Sequence, residues 1–215
     1  MNGDRQRLRG HYDEDFYWER VDRNLGWLGD TTEEQRERQA RLRDAVIGIV
    51  GTGGIGGAAA ARLVRMGALN LKLADPDHFD LTNVQRQYGA GRDTIGRNKA
   101  EVVAEQVFAL TGDVNIDVFP EGITPDVIHR LMERIMPEHQ DFPSPGTLDE
   151  WFVEKQTMPI FGACPPLAEG VLVERLAQEI MDLPGRTPLP VQPGYALFDT
   201  LTWEAKTVEK AWWAK

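Results

Sequence analysis

Cysteine is almost absent from this chain of 215 residues: Cys164 stands alone. That excludes an internal disulfide framework and any zinc site built from paired cysteines. Set between Ala163 and Pro165 in an apolar run, Cys164 reads as a small buried residue rather than a nucleophile. Positive charge is not in excess either, and the net charge of −10 argues against general affinity for nucleic acid or an anionic membrane. The longest apolar run is broken by glycines and by Arg62 and Arg65, so it does not span a bilayer. The first twenty residues, MNGDRQRLRGHYDEDFYWER, are charged throughout and show no secretory signal, so the expected location is the cytoplasm. No internal repeat is visible. His11, His78, His129 and His139 have no ligand spacing, and only His78, beside Asp77, is expected near a site.

What is present is the rhythm of an α/β domain. Hydrophobic residues make up 41% and charged residues 27%, a globular composition. TTEEQRERQARLRDA opens with Thr31 or Thr32 as N-cap and acids in its first turn, as a helix does. The short run Ala45 to Val50 reads as a strand buried on both faces. A glycine cluster follows, then a helix stopped by Gly67 and a second strand ending at Asp75. A polar loop leads to a helix from about Asn98 to Thr111, a third strand VNIDVFP and a helix TPDVIHRLMERIM. This series predicts a Rossmann-like, mostly parallel sheet with helices on both faces, a three-layer α/β/α fold. Residues 1–30 are expected to form an N-terminal arm, 31–136 the Rossmann-like core, and 137–215 a C-terminal segment of loop, helix and hairpin packing on it. Aromatics near the ends, Trp18, Trp27, Trp203, Trp212 and Trp213, suggest tails that dock, with core packing preferred.

Gly51, Gly53 and Gly56 satisfy G-x-G-x-x-G between a strand and a helix. The spacing allows a tight turn, close approach of a pyrophosphate, and close packing of helix on strand, with the helix N-terminus offering free N–H groups. Asp75 ends the second strand, where an acid accepts bonds from ribose hydroxyls. To this point ATP and NAD are equally served.

The next stretch, DPDHFDLTNVQRQYGAGRDTIGRNKAEVV, separates them. It carries D-x-D, N-x-x-R-Q and G-x-x-K-A-E in order and closely resembles the ThiF/MoeB/HesA adenylyltransferases, bacterial relatives of ubiquitin-activating enzymes. The resemblance covers roughly residues 17 to 125. It implies binding of ATP and magnesium, and activation of the C-terminal carboxylate of a ubiquitin-like or sulfur-carrier protein, or a peptide, as an acyl-adenylate by a homodimer. It further implies that Gly51, Gly53, Gly54 and Gly56 form the phosphate loop and that Asp75 holds the ribose, with Asp77 alongside. Asn83, Arg86 and Gln87 fall on N-x-x-R-Q, the arginine on the triphosphate, and Lys99 on the phosphate-binding lysine. Arg23 matches the arginine that the other subunit inserts into the site, with Arg20 as its substitute. The family's D-x-x-D-N motif, whose aspartate holds magnesium, is not found after Met136. The metal ligands stay open, with Asp77, Asp80 and Asp141 as candidates. Two other readings stand beside this one: a nucleotide-binding relative that has lost the chemistry, and an NAD-dependent oxidoreductase.

Overall fold

The computed structural model describes residues 6–124, Val127, Arg130, 164–184, 195–199 and 204–208. The chain divides into two compact units, Met1–Asp182 and Leu183–Lys215.

In the first unit, four strands form one sheet: β1 (Arg7–Leu8), β2 (Val46–Val50), β3 (Asn70–Ala74) and β4 (Asn115–Phe119). Their order is β1-β4-β3-β2; the last three are parallel, and β1 runs antiparallel to β4. Ile47, Leu71 and Ile116 stand in one row across the sheet, and Ile49, Leu73 and Val118 in another. Parallel strands need crossovers, supplied here by helices α3 (Gly56–Met66) and α4 (Lys99–Thr111), which pack on each other. Their inward residues Leu63, Val64, Val103 and Val107 are fully buried. Lys72, Ala74 and Phe119 belong to the other face. There Val127 packs on Ala74 and Phe119, and the Lys72 ammonium donates to the Arg130 carbonyl at 2.7 Å. The result is the Rossmann-like α/β fold that the alternation of elements predicts.

Two details differ from the sequence reading. β2 is not buried on both faces: among the described residues it pairs only with β3, and Val50 is 52% exposed. β1 was not foreseen. Two residues carry no period of their own, and β1 is fixed by the partner strand and by Arg9, which bonds Asp117 at 2.5 Å.

The helix N-termini follow the capping rules. Thr31 caps α2 (Thr32–Asp44), its hydroxyl accepting the Glu34 N–H while the Glu34 carboxylate accepts the Thr31 N–H. Asn98 caps α4. Helix α1 (Glu14–Leu25) of the N-terminal arm docks on the far end of α3, where a helix leaves carbonyls unpaired. The Arg20 guanidinium donates to the Val64 carbonyl at 2.9 Å, Asn24 and Gln39 to Met66, and the Tyr17 hydroxyl to Gly67. Burial of Tyr17 pushes its hydroxyl up to about 12. Trp18 packs edge-on against Tyr17, as the docking-tail reading expects, whereas Trp27 is exposed. Trp203, Trp212 and Trp213 lie outside the described residues.

Helix α5 (Cys164–Ile180) is the amphipathic helix expected late in the chain, and its buried Glu169 takes a 2.7 Å bond from Arg62 of α3. The second unit contains the expected hairpin, β5 (Tyr195–Asp199) antiparallel to β6 (Glu204–Val208). The helix expected at TPDVIHRLMERIM lies outside the described residues, Thr124, Val127 and Arg130 apart.

Arg20 also binds Asp113 at 3.0 Å, and the Asp113 side chain is 1% exposed. Arg20→Ala leaves that carboxylate buried without its cation, so a loss of about 3–5 kcal/mol is expected in urea unfolding. A loss below about 1 kcal/mol, the range of a surface pair, would contradict the buried pairing.

Candidate functional site

The site forms at the carboxyl ends of β2 and β3, where open α/β sheets bind ligands. Gly51 leaves β2 with φ +85°, a left-handed turn that favours glycine. Gly56 opens α3, and a Cβ there would lie 1.9 Å from the Gly51 carbonyl oxygen. Only glycine lets the loop close this tightly. The closure leaves the N–H groups of Gly53, Gly54, Ile55 and Gly56 without an acceptor among the described residues, and α3 has no side-chain cap. Four free amides and the positive end of a helix dipole make an anion site.

The loop is braced from below. Asp75, 5% exposed, accepts the Thr52 N–H at 2.7 Å and the Thr52 hydroxyl at 3.2 Å on one oxygen, and the Asp77 N–H at 2.9 Å on the other. Buried polar oxygens are stable only when hydrogen-bonded, and these bonds supply the partners. Asp75 therefore orients the loop through Thr52, a residue the sequence did not single out.

Arg86 and Gln87 come over the loop from the crossover. A single 3₁₀ turn, Leu81–Asn83, is capped by Asp80, whose carboxylate accepts the Thr82 hydroxyl and N–H; these bonds hold its carboxyl below the usual carboxylate range. Buried Asn83 accepts the Asp80 N–H, and its carbonyl accepts the N–H groups of Arg86 and Gln87. Asn83 thus holds the turn rather than lining the cavity. The Arg86 guanidinium donates to the Thr82 carbonyl at 3.0 Å. Gly51, Gly53, Gly54, Ile55, Gly56, Arg86 and Gln87 together line a cavity of about 280 Å³. The Gln87 amide oxygen is buried there without a partner among the described residues.

Lys99 and Asp77 form a second group, tied to the loop through the Asp75 carboxylate, which accepts from both Thr52 and Asp77. The Lys99 ammonium, 8% exposed as a residue, lies 3.3 Å from the Asp77 carboxylate, whose side chain is half exposed. Asn98 holds both segments: its amide nitrogen donates to the carbonyls of Asp75, Asp77 and Pro120 at 2.9, 3.3 and 3.2 Å.

Arg23 stands apart. It is exposed in the last turn of α1, between Arg20 and Asn24, which hold the far end of α3. Val64 lies eight residues beyond Gly56, about 12 Å along the helix, so Arg23 does not meet the glycine loop of its own chain. Arg20, bound to Asp113 and Val64, is not its substitute.

Among the described residues no cluster of three or more His, Cys, Asp or Glu could hold a metal ion. Asp77 is engaged by Lys99 and Asp80 caps its turn, while Asp141 lies outside the described residues. Asp77 and Asp80 do not by themselves assemble a magnesium centre.

A sequence profile of the ThiF family matches residues 21–139, more than half of the chain. The chain belongs to the ThiF family. Over 89 residues it is 37% identical to the tRNA threonylcarbamoyladenosine dehydratase of Escherichia coli (strain K12), covering 41% of this chain and 33% of that protein. Over 131 residues it is 27% identical to the sulfur carrier protein ThiS adenylyltransferase of Bacillus subtilis (strain 168), covering 59% and 39%. The matched region spans about a third of the length of these curated relatives. Among solved structures, E. coli MccB with AMPCPP and MccA superposes with a TM-score of 0.68 over 92% of this chain and 72% of that one. At 14% identity this shows the shared fold alone.

The ThiF-family chain should tolerate no side chain at position 56. Gly56→Ala is expected to lower stability by about 1–3 kcal/mol in urea unfolding, the usual cost of overpacking. Unchanged stability would mean that the loop does not close on the Gly51 carbonyl as described.

Proposed function

We propose that this chain is an ATP-dependent adenylyltransferase that activates the C-terminal carboxylate of a small protein or peptide as an acyl-adenylate. The observation that carries this reading is that the glycine loop with its free amides, Arg86 and Gln87 line one cavity, with the Lys99–Asp77 pair tied to the loop through Asp75. The names of the ThiS adenylyltransferase and of the MccB complex with AMPCPP fit this chemistry.

In the proposed step a carboxylate oxygen bonds to the α-phosphorus of ATP. The bond from that phosphorus to the oxygen bridging to the β-phosphate breaks, and pyrophosphate leaves with the electron pair. Two anions must approach each other, so the task of the protein is to place and neutralise charge, and it need not supply a nucleophile. The loop amides bind phosphate oxygens, and Arg86 and Lys99 stabilise the charge that grows on the leaving group. Asp75, or Asp77 two residues on, accepts the ribose hydroxyls. Magnesium, where bound with ATP, would neutralise phosphate charge; a single carboxylate such as Asp77, with the phosphates themselves, is the usual form of such a site.

The partner in this reading is the C-terminus of a ubiquitin-like or sulfur-carrier protein, or of a peptide. The exposed Arg23, remote from its own loop, fits a homodimer in which it serves the neighbouring site. A cytoplasmic location suits such partners.

The test is ATP–pyrophosphate exchange with a candidate acceptor. Arg86→Ala and Lys99→Ala should each lower exchange by about 10²–10³-fold, the cost of removing one transition-state donor, without loss of fold by circular dichroism. Exchange that survives both changes would sink the proposal. The engagement of Asp77 and Asp80 within the protein favours a second reading, a nucleotide-binding relative without the chemistry; it predicts ATP binding with no exchange for any acceptor.

A further inference from the structure

Of the nine buried polar or charged residues among those described, five lie around the glycine loop and crossover: Thr52, Asp75, Asn83, Asn98 and Lys99. The Asn98 side chain makes the most hydrogen bonds of this group, and beyond opening α4 neither its sequence neighbourhood nor the reaction assigns it a role. Its side-chain oxygen accepts the Glu101 N–H at 3.1 Å, capping α4. Its side-chain nitrogen faces three carbonyl oxygens: Asp75 at the end of β3, Asp77 in the turn beyond, and Pro120 just after β4. These partners fix which end of the amide is which, because only N–H can face three carbonyls. The backbone adds a 2.9 Å bond from the Lys99 N–H to the Asp77 carbonyl.

One side chain therefore joins the segment bearing the acids, the segment bearing the lysine, and the exit of the next strand. Asp75 in turn grips the loop through Thr52. A continuous buried path of hydrogen bonds runs from the phosphate-loop backbone through Asp75 and Asn98 to the head of α4. We propose that Asn98 is a positioning residue of the nucleotide site. It sets Lys99 and the Asp75–Asp77 turn in register with the glycine loop, and ATP affinity depends on it although it does not touch the nucleotide. This inference rests on the ATP-binding reading above.

Capping and positioning can be separated. Serine caps a helix about as well as asparagine does but has no second donor to reach the three carbonyls. Asn98→Ser therefore keeps α4 closed and cuts the ties to Asp75, Asp77 and Pro120. Tyr17→Phe serves as the control, since it removes a buried hydrogen bond at the opposite end of α3. Calorimetric titration with ATP should show affinity about 10–100-fold weaker for Asn98→Ser, the scale seen when the outer hydrogen-bond partner of a metal-binding residue is lost. Tyr17→Phe, also destabilised, should bind ATP as the wild type does. Asn98→Ser binding within about twofold of wild type, or Tyr17→Phe weakened equally, would overturn the assignment. Should Asn98→Ser not fold, Asn98→Asp keeps shape and cap and is measured instead; if neither folds, Asn98 is a folding residue and the proposal fails. A wild-type protein that binds no ATP would overturn the ATP-binding reading and this inference together. Weakening confined to the Asn98 variants is the result that supports it.

Discussion

Four backbone N–H groups at the head of α3 are the constraint around which the rest of the site is arranged. They stay free because Gly51 turns the chain left-handed and Gly56 allows its carbonyl to approach where any side chain would collide. Unsatisfied amides cost free energy when buried, so a fold that keeps them must leave them facing an open cavity or a ligand. Here the residues that bear them line a cavity together with Arg86 and Gln87. An anion is the ligand that the loop amides and the Arg86 guanidinium can bind at once.

Holding such a loop requires support outside it. Asp75 grips Thr52, Asn98 grips the carbonyls of Asp75 and Asp77, and Asn83 orients the turn that presents Arg86. At the other end of α3, Tyr17, Arg20 and Asn24 from the arm and Gln39 from α2 satisfy the terminal carbonyls. The helix is thus clamped by donors at its C-terminus while its N-terminus is kept open. That asymmetry also separates the roles of two neighbouring arginines. Arg20 belongs to the clamp, whereas Arg23 projects from it.

Much of this was legible in the sequence where chemistry depends on local spacing. Gly51, Gly53 and Gly56 between a strand and a helix and Asp75 at the next strand end could be read directly, whereas Arg86 and Gln87 in the crossover were implied by the family resemblance. So could the caps, Thr31 before two glutamates and Gly67 after a helix. What could not be read depended on partners distant in the chain. β1 exists because β4 offers an edge to two residues more than a hundred positions away. Arg20 was read as a substitute for Arg23, with no sign of its partner Asp113, and Asn98, visible as a helix start, gave no sign of the three carbonyls it would hold. β2 read as fully buried because its residues are apolar, yet its outer side is half exposed among the described residues.

The central claim is that the open amides receive a phosphate chain, and amide chemical shifts report this residue by residue. Titrating the ¹⁵N-labelled protein with ATP should move the resonances of Gly53, Gly54, Ile55 and Gly56 together, with Lys99 and Asp77 following. NAD at the same concentration should move them less. Shifts that leave these four amides in place while others move, or a larger response to NAD than to ATP, would contradict the account.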